Sequence, residues 1–305
     1  MTGTAWAFAS GVGFGAFQTV NRRAVARMDV YVATLVQLGV ALLVLVALVV
    51  GTGDRSRVDD LPAAALGWFV LGGLAHFFVG WTLLNISQQR IGAARTSPLI
   101  STVPLFGAAV AAVTLGQLPS GWSWFGIALI TLGAYVVAAE RLLGTSATST
   151  KWLRATKSEF AWRDSVFGFG TALAWAVSPI FIRKGLDGFD SPLIGVTVGL
   201  AVSLAGYLLV LTVARHRRRT GALGDAPWLK VTAGVLVALS TWGRWVALER
   251  TTVGTVLALG LMSVPIVLLL SPLLMGREVE RVNVFVWLGA LLVVGGSFVL
   301  VVRGR

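Results

Sequence analysis

Residues 6–29 read WAFASGVGFGAFQTVNRRAVARMD: small and apolar side chains, then a basic cluster, then an acid. The same succession returns at residues 167–190 as FGFGTALAWAVSPIFIRKGLDGFD. Without a gap, Phe8 falls on Phe169, Phe14 on Trp175, Arg22 on Arg183, Arg23 on Lys184 and Asp29 on Asp190, an offset of 161 residues. Later landmarks keep step, Gly92 with Gly254 and Pro104 with Pro265. Shared composition does not make charges, glycines and prolines recur in order, so the chain reads as an internal duplication.

Around that repeat the composition is extreme. The chain is 56% hydrophobic with a mean hydropathy of +0.83, and only 12% of it is charged. A soluble domain of this length cannot hide so much apolar surface. The apolar residues fall in runs of about 20, enough to cross a bilayer as helix. The net charge of +12 comes from arginines at the ends of those runs, as in membrane proteins, rather than from a nucleic-acid-binding stripe. There is no cysteine, so disulfides, thiolate catalysis and Cys-based metal sites are excluded. The first run lacks a basic n-region and a clear A-x-A site and is expected to be retained.

Ten candidate spans follow: Thr4–Val20, Tyr31–Gly51, Ala64–Ile86, Gly92–Leu115, Trp122–Glu140, Ser165–Ile182, Pro192–Ala214, Pro227–Leu248, Val253–Met275 and Asn283–Val302. Gly51–Pro62 reads as a polar loop. The chain divides into a first five-helix repeat over 1–140, a connecting loop over 141–164 and a second repeat over 165–305. Within the connection, Trp152–Trp162 suits a short amphipathic helix at the interface. Five spans per half is odd, so the second half enters from the opposite face. The fold class is therefore all-α, a polytopic membrane protein with ten transmembrane helices in two inverted five-helix repeats. Such repeats are typical of secondary transporters, with the substrate site at the repeat interface near midplane.

Several segments carry a family resemblance. They are Arg22 to Asp29 and its copy Arg183 to Asp190, GAARTSPLISTVPLF from Gly92, LGQLPSGWSWFGIALITLGAYVV from Leu115, and MGREVERVNVFVWLGALLVVGG from Met275. With the ten-span pattern, they make the chain resemble the EamA family of the drug/metabolite transporter (DMT) superfamily over nearly its whole length. Gln117 departs from the pattern, standing where the family often has Glu. The resemblance implies transport through a central cavity lined by the first, third, fourth, sixth, eighth and ninth spans. It also implies termini inside the cell, whereas counting Lys and Arg on the two faces favours termini outside.

Polar groups within a membrane are costly and so are functional candidates. Phe14, Gln18 and Asn21 share a face of the first span with Gly11, and Trp175 and Ser178 lie on the matching face of the sixth. The third span offers Trp81 and Asn85, and His76 as a group able to titrate near neutral pH. The fourth offers Arg95 and Thr102, and the eighth Ser240 and Arg244. All twelve are expected to bind substrate. Pro104 and Pro265 are expected to kink the fourth and ninth spans as hinges.

All thirteen acids fall in loops or near helix ends, and the lysines do likewise. Arg95 and Arg244 are expected at opposite mouths of the cavity, where each can meet an anion, with Glu249 as the acid nearest Arg244. GVGFG lies inside an apolar helix and is not a phosphate loop. No catalytic residues, metal site or cofactor are expected. The expected partners are a small-molecule substrate and the lipid bilayer, without nucleic acid, for a monomer or homodimer in the plasma membrane. The reading is a secondary transporter working by alternating access and favouring anionic solutes. A channel or a membrane-embedded lipid-handling enzyme is the alternative.

Overall fold

The computed structural model describes residues 1–25, 30–115, 121–143, 151–213, 227–276 and 282–303. Asp29, Gln117 and the Arg215–Arg219 cluster lie outside these residues. Among the described residues there is helix and no strand. Five helical stretches are long and apolar enough to cross a bilayer: Val30–Thr52, Ala63–Ile91, Arg163–Gly188, Pro192–Thr212 and Trp228–Arg250. Shorter apolar helices accompany them.

The first three hydrophobic runs give α1 (Gly3–Val25), α2 (Val30–Thr52) and a third stretch in three pieces. Its pieces are α3 (Ala63–Gly73), a π-helical turn (Leu74–Gly80) and α4 (Trp81–Ile91). A π turn loosens the carbonyl ladder, and side chains from neighbouring helices meet it here. Trp175 Nε1 donates to the His76 carbonyl at 3.1 Å and Ser203 Oγ to that of Gly73 at 3.0 Å. Gly92, at φ 85°, ends α4 and turns the chain into α5 (Ala93–Ile100).

The fourth and ninth sequence runs are broken rather than kinked. The fourth is α5, eight residues, then Ser101–Thr102, then α6 (Val103–Leu115), thirteen residues. The ninth repeats this as α11 (Val253–Gly260), Leu261–Met262 and α12 (Ser263–Met275), again eight and thirteen residues. Pro104 and Pro265 sit in the first turns of α6 and α12. There the missing N–H breaks no intrahelical bond, and the fixed φ suits a helix start. They stand beside hinges instead of bending a continuous helix.

The remaining elements are α7 (Gly121–Leu143), α8 (Lys151–Gly188), α9 (Pro192–Val213), α10 (Pro227–Arg250) and α13 (Val284–Arg303). The expected loop over 141–164 is helical over 141–143 and again from Lys151, because α8 runs for 38 residues without a stop. Asp164 is consequently an acid within a helix, 2% exposed and held by Arg90 Nη1 at 2.8 Å. The Gly51–Pro62 loop contains a 3-10 turn over Asp54–Arg57.

Contacts fix the directions. Ser10 Oγ donates to the Ser240 carbonyl at 2.7 Å and Gly3 lies against Arg250, so α1 and α10 are antiparallel. Gly185 lies against Phe69 and Gly170 against Leu83, so α8 is antiparallel to α3–α4. Phe17 meets Trp81 and Asn21 meets Asn85, so α1 is parallel to α4. It follows that α1 and α8 run oppositely. α7 and α13 are also antiparallel, crossing where Gly133 faces Gly289 and Gly126 faces Gly296. Small residues let membrane helices approach this closely.

Packing sorts the helices into two groups that mix the sequence halves. α1 packs on α10, α11 and α12, while α8 packs on α3, α4, α5 and α6. The cavity lies between these groups.

Candidate functional site: a central cavity at two facing helix breaks

Two adjoining pockets of about 380 and 330 Å³ share Phe14, Trp175, Arg244 and Gly260. The larger is walled by both helix breaks, with Ser101 and Pro104 on one side and Leu261 and Ser263 on the other. The smaller adds hydroxyls from Ser10, Ser240 and Thr241, together with His76. Phe14 and Trp175, equivalent positions of the repeat, meet at the centre edge to face, 5.2 Å apart and inclined by 72°. Trp175 is stacked on its other side by His76 at 5.2 Å, and His76 Nδ1 is hydrogen-bonded to Ser178 Oγ at 2.9 Å. The Trp175 ring is thus fixed by its neighbours and by its bond to the π turn.

Arg244 enters both pockets, and its Nε has no hydrogen-bond partner among the described residues. Glu249, the expected acid, pairs with Arg250 at 3.3 Å instead. It lies at the end of α10, more than a helical turn beyond Arg244. No carboxylate lines either pocket. The guanidinium therefore faces enclosed space with unused donors, next to hydroxyls and aromatic faces.

The structure brings Phe14, His76, Trp175, Ser240, Arg244 and Pro104 to the cavity wall. The other candidates lie elsewhere. Thr102 is in the α5–α6 break, with its hydroxyl bonded to the Leu99 carbonyl at 2.7 Å. Ser178 is one layer behind, on His76. Arg95, in the first turn of α5, is not among the lining residues, so the two arginines do not guard opposite mouths. Pro265 stands behind Ser263 rather than in the wall. Trp81 is fully buried against Phe17 and Phe77. Gln18 is fully buried, with neither side-chain polar atom partnered among the described residues.

Asn21 and Asn85 belong to a sealed amide cluster. Asn21 Nδ2 donates to Asn85 Oδ1 and Gln88 Oε1, each at 2.7 Å. Asn85 Nδ2 donates to Thr34 Oγ1 at 2.7 Å and Gln37 Oε1 at 3.2 Å, and Gln37 Nε2 returns a bond to Asn21 Oδ1. The sequence signal for Asn21 and Asn85 was thus a signal of interhelical bonding. Ser101 and Ser263 escaped sequence reading, although their places three residues before Pro104 and two before Pro265 were a usable sign.

A predominantly apolar helical bundle with a polar-lined space between two broken helices defines a membrane protein that handles a small solute. Comparison with known proteins gives the family. The sequence profile of the EamA-like transporter family matches residues 1–139. The uncharacterized transporter in the cobO 3' region of a Sinorhizobium species is 30% identical over 138 residues, 44% of this chain and 94% of the relative. The chain belongs to the EamA-like transporter family of the drug/metabolite transporter superfamily, and is an integral membrane protein. A solved crystal structure, described only as that of a protein, shares the fold over 99% of this chain and 97% of its own, with a TM-score of 0.61 at 18% identity.

Proposed function

We propose that the protein is a secondary transporter of the plasma membrane, moving a small metabolite or drug-like solute by alternating access and favouring anions. Ten spans in two inverted five-helix repeats are the frame of this reading. The opposed directions of α1 and α8 and of α7 and α13 support it, as do the matched breaks in α5–α6 and α11–α12. Discontinuous helices in corresponding positions of two halves are the expected surroundings of a transporter's substrate site.

The observation that carries the anion preference is Arg244, facing the cavity with its Nε unpartnered among the described residues and no carboxylate in the lining. Guanidinium offers a planar fork suited to carboxylate or phosphate, and a charge-assisted bond in a water-poor site is strong. Phe14 and Trp175 supply apolar walls for the body of the solute. Ser10, Ser240 and Thr241 supply hydroxyls for further polar groups. Pockets of this size hold a small molecule rather than a polymer.

The test is uptake into proteoliposomes of a panel of anions, zwitterions and cations by the natural chain and by Arg244→Gln and Arg95→Gln. Arg244→Gln should weaken anions about tenfold or more, the worth of one charge-assisted bond, and leave neutral solutes little changed. Arg95→Gln should leave selectivity intact. A preference of the natural chain for cations would refute the assignment. Saturation and counterflow would separate a carrier from a channel.

A further inference from the structure

The repeat's best-preserved charge, Arg22 matched to Arg183, has no place in the cavity. Both side chains instead bind the end of a helix. Arg22 Nη1 donates to the Gln89 carbonyl in the last turn of α4 at 3.2 Å. Arg183 Nη1 donates to the Leu248 carbonyl in the last turn of α10 at 2.6 Å, and to the Thr251 carbonyl just beyond it at 3.4 Å. Carbonyls in a helix's last turn lack intrahelical donors, and the helix dipole favours a cation there.

The position of these bonds gives them a second consequence. Arg22 lies on α1, which packs with α10–α12, and its acceptor is on α4, which packs with α8. Arg183 lies on α8, and its acceptor is at the end of α10. Each bond therefore crosses between the two packed groups that enclose the cavity. The directions of α1, α4, α8 and α10 put the two crossings at opposite ends of the molecule. Each acceptor also leads directly into a half-helix, through Gly92 into α5 and through Thr251–Thr252 into α11. Behind Arg22 stands the amide cluster of Asn21, Asn85 and Gln88. Behind Arg183 the closure is apolar, with Phe69 on Trp245 at 5.8 Å.

We propose that Arg22 and Arg183 are a matched pair of latches, one at each mouth of the cavity, which open alternately during transport. The proposal rests on the alternating-access reading. Rocking one group of helices on the other separates their ends at one face while closing them at the other. Loss of one latch must then bias the protein towards opening at that latch's face. Loss of the other must bias it in the opposite direction.

The experiment uses the full chain in proteoliposomes. It carries a single reporter cysteine, Ser263→Cys, in the cavity wall of a sequence with no natural cysteine. A membrane-impermeant maleimide is added to one face or the other. A separate Ser56→Cys sample identifies the Arg183 face, because neighbouring Arg57 pairs with Asp190 there at 2.5 Å. Arg22→Gln should raise reporter reactivity from the Arg22 face relative to the other by about tenfold, one charge-assisted bond. Arg183→Gln should shift the ratio by a similar factor the opposite way, and the double variant should return close to the natural ratio. A merely structural cap would lower stability additively and would not cancel. If a Gln variant does not fold, Arg22→Lys and Arg183→Lys should give the same signs at smaller size. If the natural chain is reactive from both faces but the variants do not shift in opposite directions, the latches are wrong and alternating access stands. If natural chain and variants alike react from one face only, the transporter reading fails and the latches fail with it.

Discussion

Asn85 and Ser97 are both fully buried near the junction of α4 and α5, and they should respond oppositely to the loss of their polar groups. The Asn85 amide joins Asn21, Thr34 and Gln37. Asn85→Leu strands part of that cluster in a low-dielectric interior, and should lower stability by about 1–2 kcal/mol. The Ser97 hydroxyl has no partner among the described residues. Ser97→Ala removes a desolvated group without stranding another, and should leave stability equal or higher. Thermal unfolding of the purified variants in detergent checks both. Polar residues were legible in the sequence as candidates, but their roles were not. Arg244 and Asn85 read alike as one-dimensional signals. Only the surroundings separate a side chain with unused donors facing a cavity from one whose donors are spent on neighbouring helices.

Among the elements, the broken helices and the α7–α13 pair make the clearest predictions. Pro104 and Pro265 sit just after the two breaks, where proline prevents the half-helices from joining into one. Pro104→Ala or Pro265→Ala should slow transport more than it weakens solute binding, because a healed helix stiffens the hinge. Exchange rates and binding measured side by side test this, and unchanged exchange in both would refute it. At the α7–α13 crossing, a Cβ on Gly289 would approach the Gly133 carbonyl at 2.8 Å. Gly289→Leu should therefore push the helices apart and cost about 1–3 kcal/mol, read as a lower melting temperature. Element boundaries were mostly readable from hydropathy, since apolar runs must be helical in a bilayer. The breaks were not, because Ser101–Thr102 and Leu261–Met262 look like any other residues in an apolar run.

For the whole molecule, the contacts assign faces. Arg23 Nη1 reaches the Leu274 carbonyl at 3.1 Å, so α12 runs parallel to α1 and the start of α13 follows at the end marked by Arg22. Ser56 lies at the other end, beside the Arg57–Asp190 pair. Cysteines replacing Ser56 and the 61% exposed Val284 should therefore label from opposite faces with an impermeant reagent. Labelling of both from the same face would overturn the arrangement. Which face is cytoplasmic comes out of the same experiment, and it decides between the charge count and the family resemblance.

The sequence by itself determined the membrane class, the helical fold and the duplication. Those follow from hydropathy and from the order of charges, glycines and prolines, which a linear pattern carries completely. It also determined that Arg22 and Arg183 are equivalent. Tertiary structure alone decided what they hold, because their acceptors are backbone carbonyls, identical at every residue and invisible in a list of side chains. It decided likewise that Phe14 and Trp175, 161 residues apart, touch across the cavity. It set Arg244 rather than Arg95 in the cavity wall, since helix packing and not position along a span determines which face of a helix meets enclosed space.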